Sequence, residues 1–181
     1  MKPELLDPVE WKSITESIDG EFGEGVTSKL LGERTPIALV GEDLRYIYLI
    51  PVSWVSILLE GTPEGYEYQL IGKQLGVMSK DRFRLSLQIL QDLVKLTAKK
   101  IIVSKKAAEA FTYGRSILKE SVVRIDDNLR RGQRVLVLNE NHECLGIAAL
   151  SIDSEKFDRL SGDKLVGKNL VDIGWFIRRL G

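Results

Sequence analysis

His142 and Cys144 stand two residues apart in the stretch NENHECLG, and they are the one histidine and the one cysteine of a 181-residue chain. A thiolate beside an imidazole is a nucleophile with its base, and the same two side chains can ligate zinc. Zinc wants about four nitrogen or sulfur ligands, or three plus water, so this pair cannot fill a site. The stretch is a polar turn entering an apolar run. That pattern makes His142 a solvated turn residue and Cys144 a buried strand residue. Serines and tyrosines are present, but no histidine has the context of a triad base. The carboxylate pairs Glu42–Asp43 and Asp126–Asp127 lie in polar turns, whereas a general acid needs burial to raise its pKa. No G-x-x-x-x-G-K-[ST] occurs, and Gly72 and Gly76 do not form G-x-G-x-x-G. The sequence therefore carries no catalytic set, and neither a metal nor a cofactor is expected.

Cations interleaved with aromatic residues are better represented. Residues 1–97 hold 10 Lys+Arg and 15 Asp+Glu, whereas residues 98–181 hold 16 and 11. The chain is neutral overall, but its second half is able to face phosphates. That half offers Lys99, Lys100, Lys105, Lys106, Arg115, Arg124, Arg130, Arg131, Arg134, Lys164, Lys168, Arg178 and Arg179. Such side chains neutralise phosphates without reading bases. Phe111 and Trp175 sit in apolar-patterned elements and read as core. Tyr113 borders a turn, where an exposed ring could stack on a base.

These residues need elements to position them. Apolar residues make up 44% of the chain and charged residues 29%, a balance that supports packed domains rather than disorder. The acidic start MKPELLDPVEW lacks a signal-peptide core, and no apolar run approaches the roughly 20 residues of a membrane helix. With a single cysteine, this predicts a cytoplasmic protein with no membrane partner. Asp7-Pro8-Val9-Glu10 predicts a helix start with a capping box. Trp11, Ile14 and Ile18 continue it, and Gly20 is expected to stop it. Residues 21–33 read as turns around a short element. PIALVGEDLRYIYLI predicts a hairpin. VSWVSILLE is a short buried helix or strand. GKQLGVMSKDRFRL predicts a strand, a turn and the approach to a helix over Ser86–Leu96. A boundary is placed after residue 97, giving an N-terminal α+β domain over 1–97 and a second domain over 98–181. In the second, KIIVS reads as a strand and KKAAEAFTYG as a short helix ended by Gly114. SILKESVVRI reads as mostly strand. NLRRGQRVLVLN and CLGIAALSI read as turn-linked strands. Short strands at this spacing predict a small β-barrel.

The order of helix, YGRSIL, strand and RRGQRVLVLNENHECLGIAAL resembles the PUA domain, an RNA-binding fold. Gly114, Ile117 with Leu118, Gly132 and Gly146 match its pattern. Gln133 stands where an Asp is usual, and Glu120-Ser121-Val122 where a Gly-Ile is common. Upstream, Gly72, Gly76, Lys80, Phe83, Arg84, Leu85 and Leu90 resemble the Nip-seven family of large-subunit ribosome-assembly factors. Tyr113-Gly114 and Leu118-Lys119 resemble it too, in the manner of an archaeal homologue. The likeness covers about residues 70–150. It implies an α+β fold, with an N-terminal α/β sandwich-like domain followed by a small PUA-type β-barrel. It also implies a non-enzymatic RNA-binding factor in maturation of ribosomal RNA. Its partners would be rRNA precursors, single-stranded or looped, and other ribosome-assembly proteins, with exosome components among the candidates. By the same likeness RNA would be held by Tyr113, Gly114, Arg115, Lys164, Lys168 and Arg178, while Arg84 would anchor a domain interface. The alternatives are a protein-interaction scaffold without RNA contact, favoured by Gln133 and Ser121, and a diverged RNA-modifying enzyme.

Overall fold

Asp7 opens the first helix, α1 (Pro8–Phe22). Its carboxylate accepts from the N–H groups of Val9 at 2.8 Å and Glu10 at 3.4 Å, and Pro8 occupies the first turn. Ile14, Ile18 and Phe22 form the buried stripe. Gly20 does not stop this helix. A mid-helix glycine costs about 1 kcal/mol and is tolerated, and the chain turns instead at Gly23. Glu10 does not close a capping box but reaches the Arg45 guanidinium at 3.0 Å. The computed structural model describes residues 1–80, 82–175 and 178. They fall into two compact units, Met1–Ile89 and Leu90–Gly181.

In the first unit, β1 (Lys2–Leu5) precedes α1, and α2 (Val26–Leu31) follows it. The Asp19 carboxylate caps α2 from a distance. It accepts from the N–H groups of Gly25 at 2.9 Å and Thr27 at 2.7 Å, and from the Thr27 hydroxyl at 2.7 Å. Burial alone would raise this carboxyl, but the hydrogen bonds outweigh it and hold the group below the ordinary aspartate range. β2 (Arg34–Val40) and β3 (Arg45–Pro51) form the expected hairpin, in register from Arg34↔Pro51 to Val40↔Arg45. α3 (Val55–Leu59) follows a 3-10 turn over Val52–Trp54. This segment is helical but mostly exposed: Leu58 is its one buried residue, and half-buried Val55 packs against the same core. β4 (Lys73–Ser79) and β5 (Arg82–Leu85) make a second hairpin. The expected approach to a helix is thus a strand, because Arg82 and Arg84 face out while Phe83 and Leu85 are half-buried, a period of two. The sheet is antiparallel throughout, in the order β1-β2-β3-β4-β5. Ile37, Leu39, Tyr48, Ile50, Leu58 and Ile71 form one core cluster.

The helix expected over Ser86–Leu96 shrinks to a 3-10 turn at Leu87–Ile89 and α4 (Leu90–Leu93). Within the second unit, Gln91 ties α4 to the turn at His142–Cys144. Its amide oxygen accepts from the Cys144 N–H at 2.8 Å, and its amide nitrogen donates to the His142 carbonyl at 3.3 Å. Then come β6 (Lys100–Val103), α5 (Lys105–Thr112), β7 (Ile117–Leu118), β8 (Val122–Ile125), β9 (Arg134–Leu138), β10 (Cys144–Leu150) and β11 (Leu165–Asp172). A 3-10 turn over Lys119–Ser121 splits the segment read as one strand into β7 and β8. The six strands form a nearly closed, barrel-like sheet in the order β7-β11-β10-β9-β6-β8, with β6 and β9 parallel and the other pairs antiparallel. Phe111 of α5 packs into its core with Ile101, Val137, Leu145 and Val166. The α+β fold expected from the sequence, with a small β-barrel in the second half, is the fold observed.

Candidate nucleic-acid interface

Gly114 decides where the side chains after α5 point. It takes φ 87, its N–H donates to the Phe111 carbonyl at 2.9 Å, and the Arg115 N–H donates to the Ala110 carbonyl at 3.1 Å. Those two bonds make a Schellman ending, which needs a left-handed residue that glycine supplies with least strain. Phe111 is thereby buried at 1% exposure while Tyr113 stands out at 75%. The chain then runs into β7, the edge strand beside β11.

The β7–β11 pairing gathers the cations. Leu118 pairs with Leu165 and Ile117 with Gly167, and the Lys119 N–H donates to the Lys164 carbonyl at 2.8 Å. Lys164 therefore sits beside Lys119. At the other end, the Asn169 N–H donates to the Ser116 hydroxyl at 3.4 Å, and its amide nitrogen donates to the carbonyls of Phe111 at 2.8 Å and Arg115 at 3.5 Å. Lys168, exposed on the same strand, is the residue before Asn169 and so lies along the same edge as the Arg115–Ser116 backbone. Tyr113, Gly114, Arg115, Lys119, Lys164 and Lys168 lie along one edge. None of its four cations is ion-paired with a described residue. Asp163 adjoins Lys164. A hydrogen bond from Ser161 chiefly holds that carboxyl below the ordinary range, with Lys164 a smaller contributor.

Arg178 does not belong to this free set. Its guanidinium grips the Asp172 carboxylate with two bonds of 3.0 Å and also donates to the Thr112 carbonyl. Asp172 is almost fully buried, and Asn169 donates to it as well, at 3.2 Å. Arg178 therefore fastens the end of β11 to the end of α5 and holds the Gly114 turn in place. Lys119 is the cation that the sequence reading passed over. Its ammonium lies 5.4 Å from the centre of the Phe157 ring, a cation–π distance. Its signals in the sequence are its place after the apolar pair Ile117-Leu118 and the family-like Leu118-Lys119 pair, neither of which marks it as an RNA contact.

Several other cations are neutralised locally: Arg124 by Asp126 at 3.6 Å, Arg130 by Glu155 at 3.0 Å, and Lys156 by Asp153 at 2.8 Å. Trp175, read as core, is 38% exposed, because β11 ends at Asp172 and the chain has left the barrel wall. Arg179 lies outside the described residues. His142 is an exposed turn residue with φ 61. Cys144 is half-buried at the start of β10, and burial pushes its thiol up to about 11. A thiol so protonated is a poor nucleophile. Among the described residues no group of three or more His, Cys, Asp or Glu could hold a metal ion, and no helix is long and apolar enough to cross a membrane.

Residues 99–181 match the family model described as the UPF0113 PUA domain. Over that span the second unit is similar to the UPF0113 PUA domain. A UPF0113 protein of Archaeoglobus fulgidus is 31% identical over 107 residues, covering 59% of this chain and 60% of the relative. The 60S ribosome subunit biogenesis protein nip7 of Schizosaccharomyces pombe is 28% identical over 98 residues, 54% of each chain. A mouse protein named as a homologue of it is 24% identical over 158 residues, 83% of this chain and 88% of the relative. The chain thus matches little more than half the length of the first two. A PUA domain protein of Thermoplasma acidophilum superposes with a TM-score of 0.62 at 13% identity, over 99% of this chain and 100% of its own. A PUA domain structure from Aeropyrum pernix gives 0.60 at 16%, over 96% and 86%. The resemblance to this family read from the sequence is borne out. The two departures from the PUA pattern leave the fold intact. The Gln133 side chain accepts from the Arg130 N–H at 2.9 Å and closes the turn before β9, and the Ser121 carbonyl accepts from the Ser104 N–H at 3.0 Å.

Proposed function

We propose that this protein is a non-catalytic, cytoplasmic RNA-binding factor of large-subunit ribosome assembly, and that it holds single-stranded or looped RNA along the β7–β11 edge of its PUA domain. The observation that carries this reading is the set Arg115, Lys119, Lys164 and Lys168, brought to one edge with none ion-paired to a described residue, beside the exposed ring of Tyr113. The cations would neutralise phosphates, Tyr113 would stack on a base, and Gly114 would let the RNA backbone approach. The names of the relatives support the assembly role.

Titration of a labelled oligouridylate at two ionic strengths tests it. Binding should weaken steeply with salt. The Lys164→Ala/Lys168→Ala double variant should bind about tenfold more weakly, with the salt slope lowered by about 1.4 for two lost contacts to a single strand. Its unfolding should be unchanged, since exposed substitutions usually shift stability by less than about 0.5 kcal/mol. Affinity equal to that of the parent would remove this edge from the reading, and salt-independent binding would remove the RNA reading itself.

A second reading, protein docking through the first unit, is favoured by one feature. Val52, Trp54, Ile57 and Leu59 lie on or just before α3 and are exposed by 62%, 49%, 63% and 43%. Large apolar side chains exposed together on one short segment mark an interaction surface. Recovery of protein partners after nuclease treatment, abolished by Ile57→Ser, is the result expected of it.

A further inference from the structure

The hairpin of β4 and β5 carries cations that the PUA edge leaves unexplained. Residues 1–89 hold nine Lys+Arg against fourteen Asp+Glu, yet three of the nine, Lys80, Arg82 and Arg84, fall within five positions. Lys80 takes φ 52 at the turn, and Arg82 and Arg84 both face outward from β5. Alternate residues of a strand are about 6.8 Å apart, comparable to consecutive phosphates along an extended nucleic-acid strand. With Ser79 the three cations line an open cavity of about 520 Å³. None is ion-paired with a described residue, whereas Arg45 on the neighbouring strand is paired with Glu10. The opposite face of the hairpin is held firmly. Phe83 lies so close over Gly76 that a Cβ there would stand 2.4 Å from its ring. The arginine face is thereby fixed outward before any ligand arrives.

We infer that Ser79, Lys80, Arg82 and Arg84 form a second phosphate-binding surface, on the first unit, that grips the sugar-phosphate backbone of bound RNA independently of the PUA edge. The planar guanidinium forks suit phosphate oxygens two at a time, and the Ser79 hydroxyl adds a neutral donor. Asp81 between them in sequence leaves the stretch a formal charge of +2, enough to hold phosphates but not to read bases. Charges on an edge strand can also serve only to deter strand pairing. That task needs charge of either sign, so reversing the sign separates the two roles.

The inference rests on the RNA-binding reading, and the experiment keeps the two apart. The full chain, Arg82→Ala/Arg84→Ala, Arg82→Glu/Arg84→Glu and Lys164→Ala/Lys168→Ala are each titrated with a labelled oligouridylate across a salt series, and their thermal unfolding is recorded. The alanine pair on the hairpin should weaken binding about tenfold and lower the salt slope by about 1.4. The glutamate pair should weaken it further, with all four proteins unfolding at the same temperature. Parent-like binding by both hairpin variants, with weakened binding by the Lys164/Lys168 variant, overturns the inference and leaves the PUA edge standing. No binding by the parent overturns both. Hairpin variants that bind RNA normally but lose affinity for a polyglutamate peptide would assign the surface to an acidic protein instead and also overturn it.

Discussion

Replacing Gly146 by alanine should unfold the PUA domain locally, and the size of the effect follows from where a methyl group would go. Gly146 takes φ 152 at an irregularity in the β9–β10 pairing, on the strand that also pairs with β11. A Cβ would lie 2.1 Å from the Val171 carbonyl oxygen and 2.8 Å from the Asp172 Cα. Both are backbone atoms, so no side chain can rotate away and β11 itself must shift. The strained dihedral costs about 1–3 kcal/mol, and overpacking with loss of a ladder hydrogen bond adds a comparable amount, for a total of about 3–5 kcal/mol. A unit of this size is held by about 5–14 kcal/mol, so its melting temperature should fall by more than about 12 °C. Hydrogen exchange should show the loss in the β10 and β11 amides and not in the first unit. RNA affinity should fall as well, although no charge has been removed, because Lys168 rides on the displaced strand. A variant that melts within about 3 °C of the parent, with unchanged β11 protection, would refute the close approach of the two strands and this account of the glycine.

Asp19→Ala strands two N–H groups and a hydroxyl at the start of α2, and should destabilise the first unit by about 2 kcal/mol in urea unfolding near neutral pH. Because the folded carboxyl lies below its unfolded value near about 3.9, its contribution is full above that value and disappears as pH falls through the folded one. The gap between parent and variant should therefore close in acid, and a gap constant down to about pH 2 would contradict the hydrogen-bond assignment. With its thiol raised to about 11, Cys144 should react with iodoacetamide at neutral pH at least about a hundredfold more slowly than a free thiol. The rate should climb with pH toward that value, and rapid alkylation of the folded protein would contradict the half-buried, protonated state.

The features legible in the sequence are those closed by neighbours along the chain. Asp7 and Pro8 announce α1, and a Gly-Glu-Asp turn between apolar runs announces the β2–β3 hairpin. Gly114 announces the end of α5 through a motif complete within six residues. The features that escaped depend on distant partners. β1 shows no alternation, since only Pro3 is buried and its strand character comes from pairing with β2. β5 hides behind Arg82 and Arg84, whose charges obscure a period of two. Arg178 carries the same charge as Arg115 in the sequence, and only the fold puts Asp172 and the Thr112 carbonyl against it. Lys119 becomes part of the candidate edge because β7 pairs with β11, across more than forty residues of chain.

Net charge, the signal first available, is thus a poor guide to where a polyanion would lie, and local pairing is a better one. The PUA domain is the basic half of the chain, yet its cations near β8, β9 and the Ser154–Arg159 turn are paired with Asp126, Glu155 and Asp153. A cation already paired must break that contact to meet a phosphate, and gains correspondingly less. Along the β7–β11 edge, by contrast, Arg115, Lys119, Lys164 and Lys168 lie close in the fold with none ion-paired to a described residue. By the same criterion, the acidic half of the chain is not barred from RNA: its overall charge acts weakly at a distance, since salt screens exposed charges beyond about 10 Å, whereas Lys80, Arg82 and Arg84 stand together with none ion-paired to a described residue. A surface for phosphates is therefore to be sought by asking where the fold clusters cations that no neighbouring carboxylate holds, and among the described residues one edge of the second unit and one hairpin of the first unit meet that test.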